Sequence, residues 1–122
     1  MKTGRLFLLS LLLCWCNSNA QSFVQWQKTF GGIDNENAIH SCVTQTVDSG
    51  FIIAGYTFSF GAGIADVYLI KTNIYGDTLW TRIYGGIDYD YVSSVRQTSD
   101  SGFIVAGSGG TQSFGLARTR EP

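Results

Sequence analysis

Gln45-Thr46-Val47-Asp48-Ser49-Gly50-Phe51-Ile52-Ile53-Ala54-Gly55 returns downstream as Gln97-Thr98-Ser99-Asp100-Ser101-Gly102-Phe103-Ile104-Val105-Ala106-Gly107, at an offset of 52. Each string reads as a turn feeding a strand. Asp48 and Asp100 can accept backbone N–H bonds inside the turn, and Gly50 and Gly102 are expected to supply the positive φ of a tight hairpin. Phe51, Ile52, Ile53 and Ala54 are apolar on both sides of the strand that follows. Such a strand must be covered on both faces.

The repetition extends outward from this hairpin. Trp26-Gln27-Lys28-Thr29-Phe30-Gly31-Gly32-Ile33-Asp34 matches Trp80-Thr81-Arg82-Ile83-Tyr84-Gly85-Gly86-Ile87-Asp88 at an offset of 54, as Ser59-Phe60-Gly61 matches Ser113-Phe114-Gly115. The loop after the Gly-Gly pair is therefore two residues shorter in the second copy. Within the first copy the pattern predicts strands over 41–46, 51–57, 66–72 and 78–84, joined by turns at 47–50 and 73–77, the latter carrying Gly76. Four strands joined in sequence make an antiparallel meander. The expected fold class is all-β, with four-stranded repeats arranged as incomplete β-propeller-like blades, because a repeat of roughly 50 residues with fixed Gly and aromatic positions suits a blade. A β-sandwich or an open β-solenoid is the alternative. The expected organisation is a leading strand over 23–30, a first blade over about 38–84 and a partial second blade over 92–115.

These strings, together with Asp66-Val67-Tyr68-Leu69-Ile70-Lys71-Thr72-Asn73 and Gly76-Asp77-Thr78-Leu79-Trp80, resemble the propeller-like tandem repeat of large secreted bacterial and archaeal proteins. The resemblance spans about 26–115 and implies export, often by the type IX route, and a blade-like fold. It implies no particular activity. Thr46-x-Asp48-x-Gly50 and Thr98-x-Asp100-x-Gly102 are also similar to the opening of the Asp-box hairpin of sialidase-type propellers, with Ile53 and Val105 where that motif has an aromatic residue. In that family the box is a structural turn.

After Gly115 the first copy's precedent calls for a counterpart of 66–72, and the chain reads Leu116-Ala117-Arg118-Thr119-Arg120-Glu121-Pro122. Residues 116–122 thus read as an off-pattern tail, and an exposed strand edge is expected over 103–108. Fewer than two blades cannot close a propeller, so the chain reads as an N-terminal fragment of a longer repeat protein. The alternative is a short protein that closes by oligomerising.

The first twenty residues carry the three parts of a cleavable signal: Lys2 and Arg5, the apolar run 6–13 broken by Ser10, and Ser18-Asn19-Ala20 before an expected cut at Gln21. The apolar run is too short for a spanning helix, so no transmembrane segment is expected after cleavage. Secretion to the extracellular space or cell surface follows, with the periplasm as a transit compartment. Removing Lys2 and Arg5 leaves six basic residues against nine acidic ones, a net charge of −3. No basic patch argues for nucleic acid. Cys14 and Cys16 leave with the signal, and Cys42, alone in an apolar strand, reads as a small buried hydrophobe.

Candidate chemistry is sparse. Asp34 and Glu36 in the first copy, and Asp88 and Asp90 in the second, follow the Gly31-Gly32 and Gly85-Gly86 pairs. Alternating oxygen ligands on a loop suit Ca²⁺, but the EF-hand spacing with its bidentate Glu is absent, and solvated loop carboxylates are the favoured reading. No other cofactor is expected. His40 has no counterpart in the second copy and no nucleophile beside it. Tyr56, Tyr68, Tyr75, Tyr84, Tyr89 and Tyr91 would stack on sugars if several shared a rim, although aromatics at repeat positions more often pack between blades. The sequence therefore reads as a noncatalytic scaffold or binding surface for protein or glycan, able to self-associate through exposed strand edges. Its alternative is part of a glycan hydrolase or lyase whose active residues lie on further blades.

Overall fold

In the computed structural model, residues 26–38, 42–110 and 116–120 are described. The candidate signal sequence, His40 and the second Ser-Phe-Gly string lie outside them. The described residues form strands and turns without a helix: β1 Glu36–Asn37, β2 Val43–Gln45, β3 Phe51–Thr57, β4 Asp66–Thr72, β5 Thr78–Tyr84, β6 Asp90–Gln97, β7 Phe103–Gly109 and β8 Leu116–Thr119. All ladder pairings are antiparallel. The strands form two open sheets, one with β4 between β3 and β5 and with β1 and β2 both on the free side of β3, the other ordered β6-β7-β8.

Three of the expected strands, β3, β4 and β5, occur with the bounds that periodicity predicts. The leading strand does not form in the described part of 23–30: residues 26–30 make no ladder. Trp26 is held by other means. Its indole Nε1 donates to Ile74 O at 3.0 Å, and its ring meets Phe51 edge to face at a centroid distance of 5.7 Å.

The expected open edge on β7 is also corrected. β8 pairs with it from Phe103↔Thr119 to Ala106↔Leu116. This register reproduces β3 against β4, where Phe51 faces Thr72, Ile52 faces Lys71, Ile53 faces Ile70 and Ala54 faces Leu69. Leu116-Ala117-Arg118-Thr119 therefore stands where Leu69-Ile70-Lys71-Thr72 stands in the first sheet. Residues 116–119 of the tail are thus in pattern; the stretch of sequence before them is shorter than its counterpart.

One core lies between the sheets. Cys42, Ile52, Ala54, Val67 and Leu69 from the first meet Val92, Val95, Phe103 and Val105 from the second, with Trp80 and Tyr84 packed at the margin. Cys42 is buried in this core, as its apolar setting suggests. The Trp80 ring lies 5.8 Å from that of Phe103, the same pairing that Trp26 makes with Phe51. Each fully buried Val, Leu, Ile or Phe is worth about 1.5–3 kcal/mol. Exposed ion pairs contribute about 1 kcal/mol or less, so apolar burial holds the sheets together.

Candidate functional site

The repeated turn is built the same way twice. Asp48 Oδ1 accepts from Gly50 N at 3.1 Å and from the Thr46 hydroxyl, while Thr46 N donates to Gly50 O at 2.9 Å. In the second copy the Thr98 hydroxyl donates to Asp100 Oδ1 at 2.6 Å, and Thr98 N donates to Gly102 O at 2.8 Å. The positive φ, however, belongs to Ser49 at 67° and Ser101 at 62°, not to the glycines. Gly50 and Gly102 answer a different demand. A Cβ on Gly50 would run into Thr72 O, and one on Gly102 would lie 2.8 Å from Thr119 O.

A cation then ties each turn to the adjoining strand. Lys71, fully buried, donates from Nζ to Asp48 Oδ2 at 2.7 Å and to Thr72 O at 3.0 Å. Arg118 pairs with Asp100 in the equivalent place, but both side chains there are exposed. The Lys71 ammonium, with help from the Thr46 hydroxyl, holds the Asp48 carboxyl down to about 2. Asp100 is lowered too, by the Thr98 hydroxyl first and by the charge of Arg118.

The four acidic calcium candidates separate into two roles. Glu36 and Asp90 are latches. Glu36 Oε1 accepts from the Thr57 hydroxyl at 2.9 Å, and its carboxyl is lowered chiefly by the Ser59 hydroxyl, then by Thr57 and the Gly32 amide. Asp90, fully buried, accepts from Gly86 N at 2.7 Å. Each latch thus closes on the second glycine of its Gly-Gly pair. Asp34 and Asp88 flank them in the loops: Asp34 N donates to Ser59 Oγ at 2.9 Å, and Asp88 O accepts from Ile64 N at 3.2 Å. Among the described residues, no three acidic, His or Cys side chains converge as a metal site.

Sequence reasoning missed Asp66. It is buried, accepts from Gly63 N at 2.9 Å, and with Asp90 crowds the place a Cβ on Gly85 would take. Two carboxylates near one another is the arrangement glycoside hydrolysis uses. Here both are buried and accept from backbone amides, which shapes the loops around them.

The six tyrosines are divided by the fold. Tyr56, Tyr89 and Tyr91 join Phe58 in a circuit of four rings at the junction of the sheets. Tyr56 stands edge-on to Tyr91 at 5.0 Å and to Phe58 at 5.8 Å; Phe58 meets Tyr89 at 6.4 Å, and Tyr89 stacks with Tyr91 at 6.0 Å. Phe58 and Tyr89 keep part of their surface open to solvent. Aromatic pairs of this geometry add about 0.5–1.5 kcal/mol each, so the circuit ties the sheets as well as presenting ring surface. Its members do not recur: Tyr56, Phe58 and Tyr89 correspond to Ser108, Gly110 and Asn35. Tyr68 instead pairs with Phe60 at 5.5 Å, Tyr75 is exposed on a turn and Tyr84 packs against the core. Beside the circuit, on the outer face of the first sheet, lies a cleft of about 180 Å³ lined by Phe30, Glu36, Ile53, Tyr56, Tyr68 and Ile70.

Comparison with known proteins returned no match to a family model, to a curated protein or to a solved structure.

Proposed function

We propose that the chain is a noncatalytic, exported β-repeat module, whose two sheets pack as consecutive propeller-like blades and whose aromatic junction serves as a scaffold or binding surface for a glycan or a protein. The observation that carries this reading is the use made of the polar side chains. Asp48, Asp100, Glu36, Asp90 and Asp66 each accept bonds that shape a turn or loop, and the first four do so in matched pairs across the two sheets. The solvent-reaching part of the aromatic circuit, Phe58 and Tyr89, is the surface best suited to contact a partner, since flat rings pack against the C–H faces of sugars as well as against apolar side chains. The signal-like residues 1–20 and the resemblance to secreted tandem repeats support an extracellular or cell-surface setting.

The purified chain applied to a glycan array and incubated with a panel of polysaccharides tests this. Binding without turnover, lost on Tyr89→Ala, is expected for the glycan form of the proposal. Turnover of any polysaccharide by the pure chain would overturn the noncatalytic reading.

A further inference from the structure

The interface between the two sheets is made of two unlike faces. The first sheet contributes Ile52 and Ala54 of β3; the second contributes Val95 of β6 with Phe103 and Val105 of β7. Because the sheets share one register, each also carries the other kind of face on its far side. Ile104 and Ala106 stand at the positions of Ile52 and Ala54, and Val43, Phe51 and Ile53 stand at those of Val95, Phe103 and Val105. Burial differs accordingly. Val95 is 1% exposed and Val43 is 58% exposed. Phe103, Val105, Ile52 and Ala54 are fully buried, whereas Phe51, Ile53, Ile104 and Ala106 are only half-buried. The cleft beside Ile53 lies on this less covered face of the first sheet.

Residues 26–30 complete the match. They correspond to β5, the strand that flanks β4, and Trp26 already sits on Phe51 as Trp80 sits on Phe103. Yet among the described residues they pair with no strand, and β8 has a ladder partner on one side only.

We propose that copies of this chain pack head to tail: the Ile104 and Ala106 face of one molecule seats on the Val43, Phe51 and Ile53 face of the next, while residues 26–30 of that second molecule add to the first molecule's β8 as a fourth strand. The register follows from β4 against β5, where Lys71 faces Trp80 and Ile70 faces Thr81. It sets Arg118 opposite the neighbour's Trp26 and Ala117 opposite the neighbour's Gln27. The contact joins two different faces, so it is heterologous and propagates until a ring closes. It goes beyond the binding reading above and holds whether or not the aromatic junction takes a glycan.

Two measurements on the full chain test it. In sedimentation velocity, a concentration-dependent oligomer is expected for the parent and for Ile87→Asp, exposed in the loop between β5 and β6; Ile104→Asp is expected to weaken association by about 100-fold or more, since a carboxylate would be buried without a partner. In the second, a chain carrying Gln27→Cys is mixed with one carrying Ala117→Cys and mildly oxidised. Facing residues of an antiparallel pair lie about 4.5–5.5 Å apart at Cα, within reach of a disulfide. A cross-linked heterodimer is expected, enriched over either homodimer. A parent that stays monomeric at its highest soluble concentration, an oligomer indifferent to Ile104→Asp, or cross-linking no greater than that of an Ile87→Cys and Ala117→Cys mixture would each overturn the proposal.

Discussion

The ammonium of Lys71, wholly buried, lies 2.7 Å from the Asp48 carboxylate at the tip of the preceding hairpin, and Arg118 repeats the tie to Asp100 at the surface. The two ties share a register and differ in burial. That difference makes them a paired experiment. Asp48→Ala leaves a buried cation without its carboxylate and is expected to cost about 3 kcal/mol, whereas Asp100→Ala, losing an exposed pair, costs distinctly less. Lys71→Met, which fills the same space without charge, stays within about 1 kcal/mol of the parent. Urea denaturation of the three variants checks the order.

Acid stability follows from the same pair. Asp48 has its folded pKa depressed from 3.8 to about 2, so its contribution is fully present above pH 4 and is lost as pH falls towards 2. Asp48 is nearly half exposed, and solvent screening reduces the effect to about 1 kcal/mol. Thermal melts between pH 5 and pH 2 should show a loss of stability that is shallower in Lys71→Met.

The hairpins divide backbone demands between neighbours. Gly50→Ala forces a Cβ onto Thr72 O and is expected to cost about 2–3 kcal/mol, as overpacking against backbone does. Ser49→Gly, at a φ of 67°, removes a left-handed penalty of about 1 kcal/mol. The two adjacent substitutions should therefore move the melting temperature in opposite directions.

Thr72 Oγ1 is buried without a hydrogen-bond partner. Thr72→Val keeps the shape and the strand preference and discards the orphaned hydroxyl. A gain of about 1 kcal/mol is expected by chemical denaturation.

Export is testable independently of fold. Expressed in a bacterium, the chain should appear outside the cytoplasm with Gln21 at its amino terminus, as read by intact-mass measurement. Replacing Leu11 and Leu12 with Arg should retain it in the cytoplasm with residues 1–20 attached.

Much of the fold was legible because identical strings carry their own alignment. The bounds of β3, β4 and β5 followed from alternation between Asp- and Gly-rich turns, and the two Asp turns from their residue types. β8 was not legible for a definite reason. The match of Ser113-Phe114-Gly115 at an offset of 54 placed the next strand beyond the chain, while the pairing partner, four residues long, arrives at once after a shorter stretch of sequence. Its signal was the quartet Leu-x-Lys/Arg-Thr, which only the register against β7 makes meaningful.

The site was less legible still. Glu36 and Asp90 looked like free loop carboxylates because sequence does not show the glycine amides they accept from. Of six tyrosines, the three that meet do so at positions the repeat does not share, brought together by the packing of one sheet on the other. Ser49 was overlooked as the left-handed residue because Gly50 beside it offers the same conformation at lower cost.

The central claim is that the chain consists of two units built to one plan, and β8 is where that plan was least visible. Amide hydrogen exchange of the native chain tests it most directly. The amides of β7 and β8 that face each other are predicted to exchange as slowly as those between β3 and β4. Exchange across Leu116–Thr119 as fast as in the open loops would contradict it.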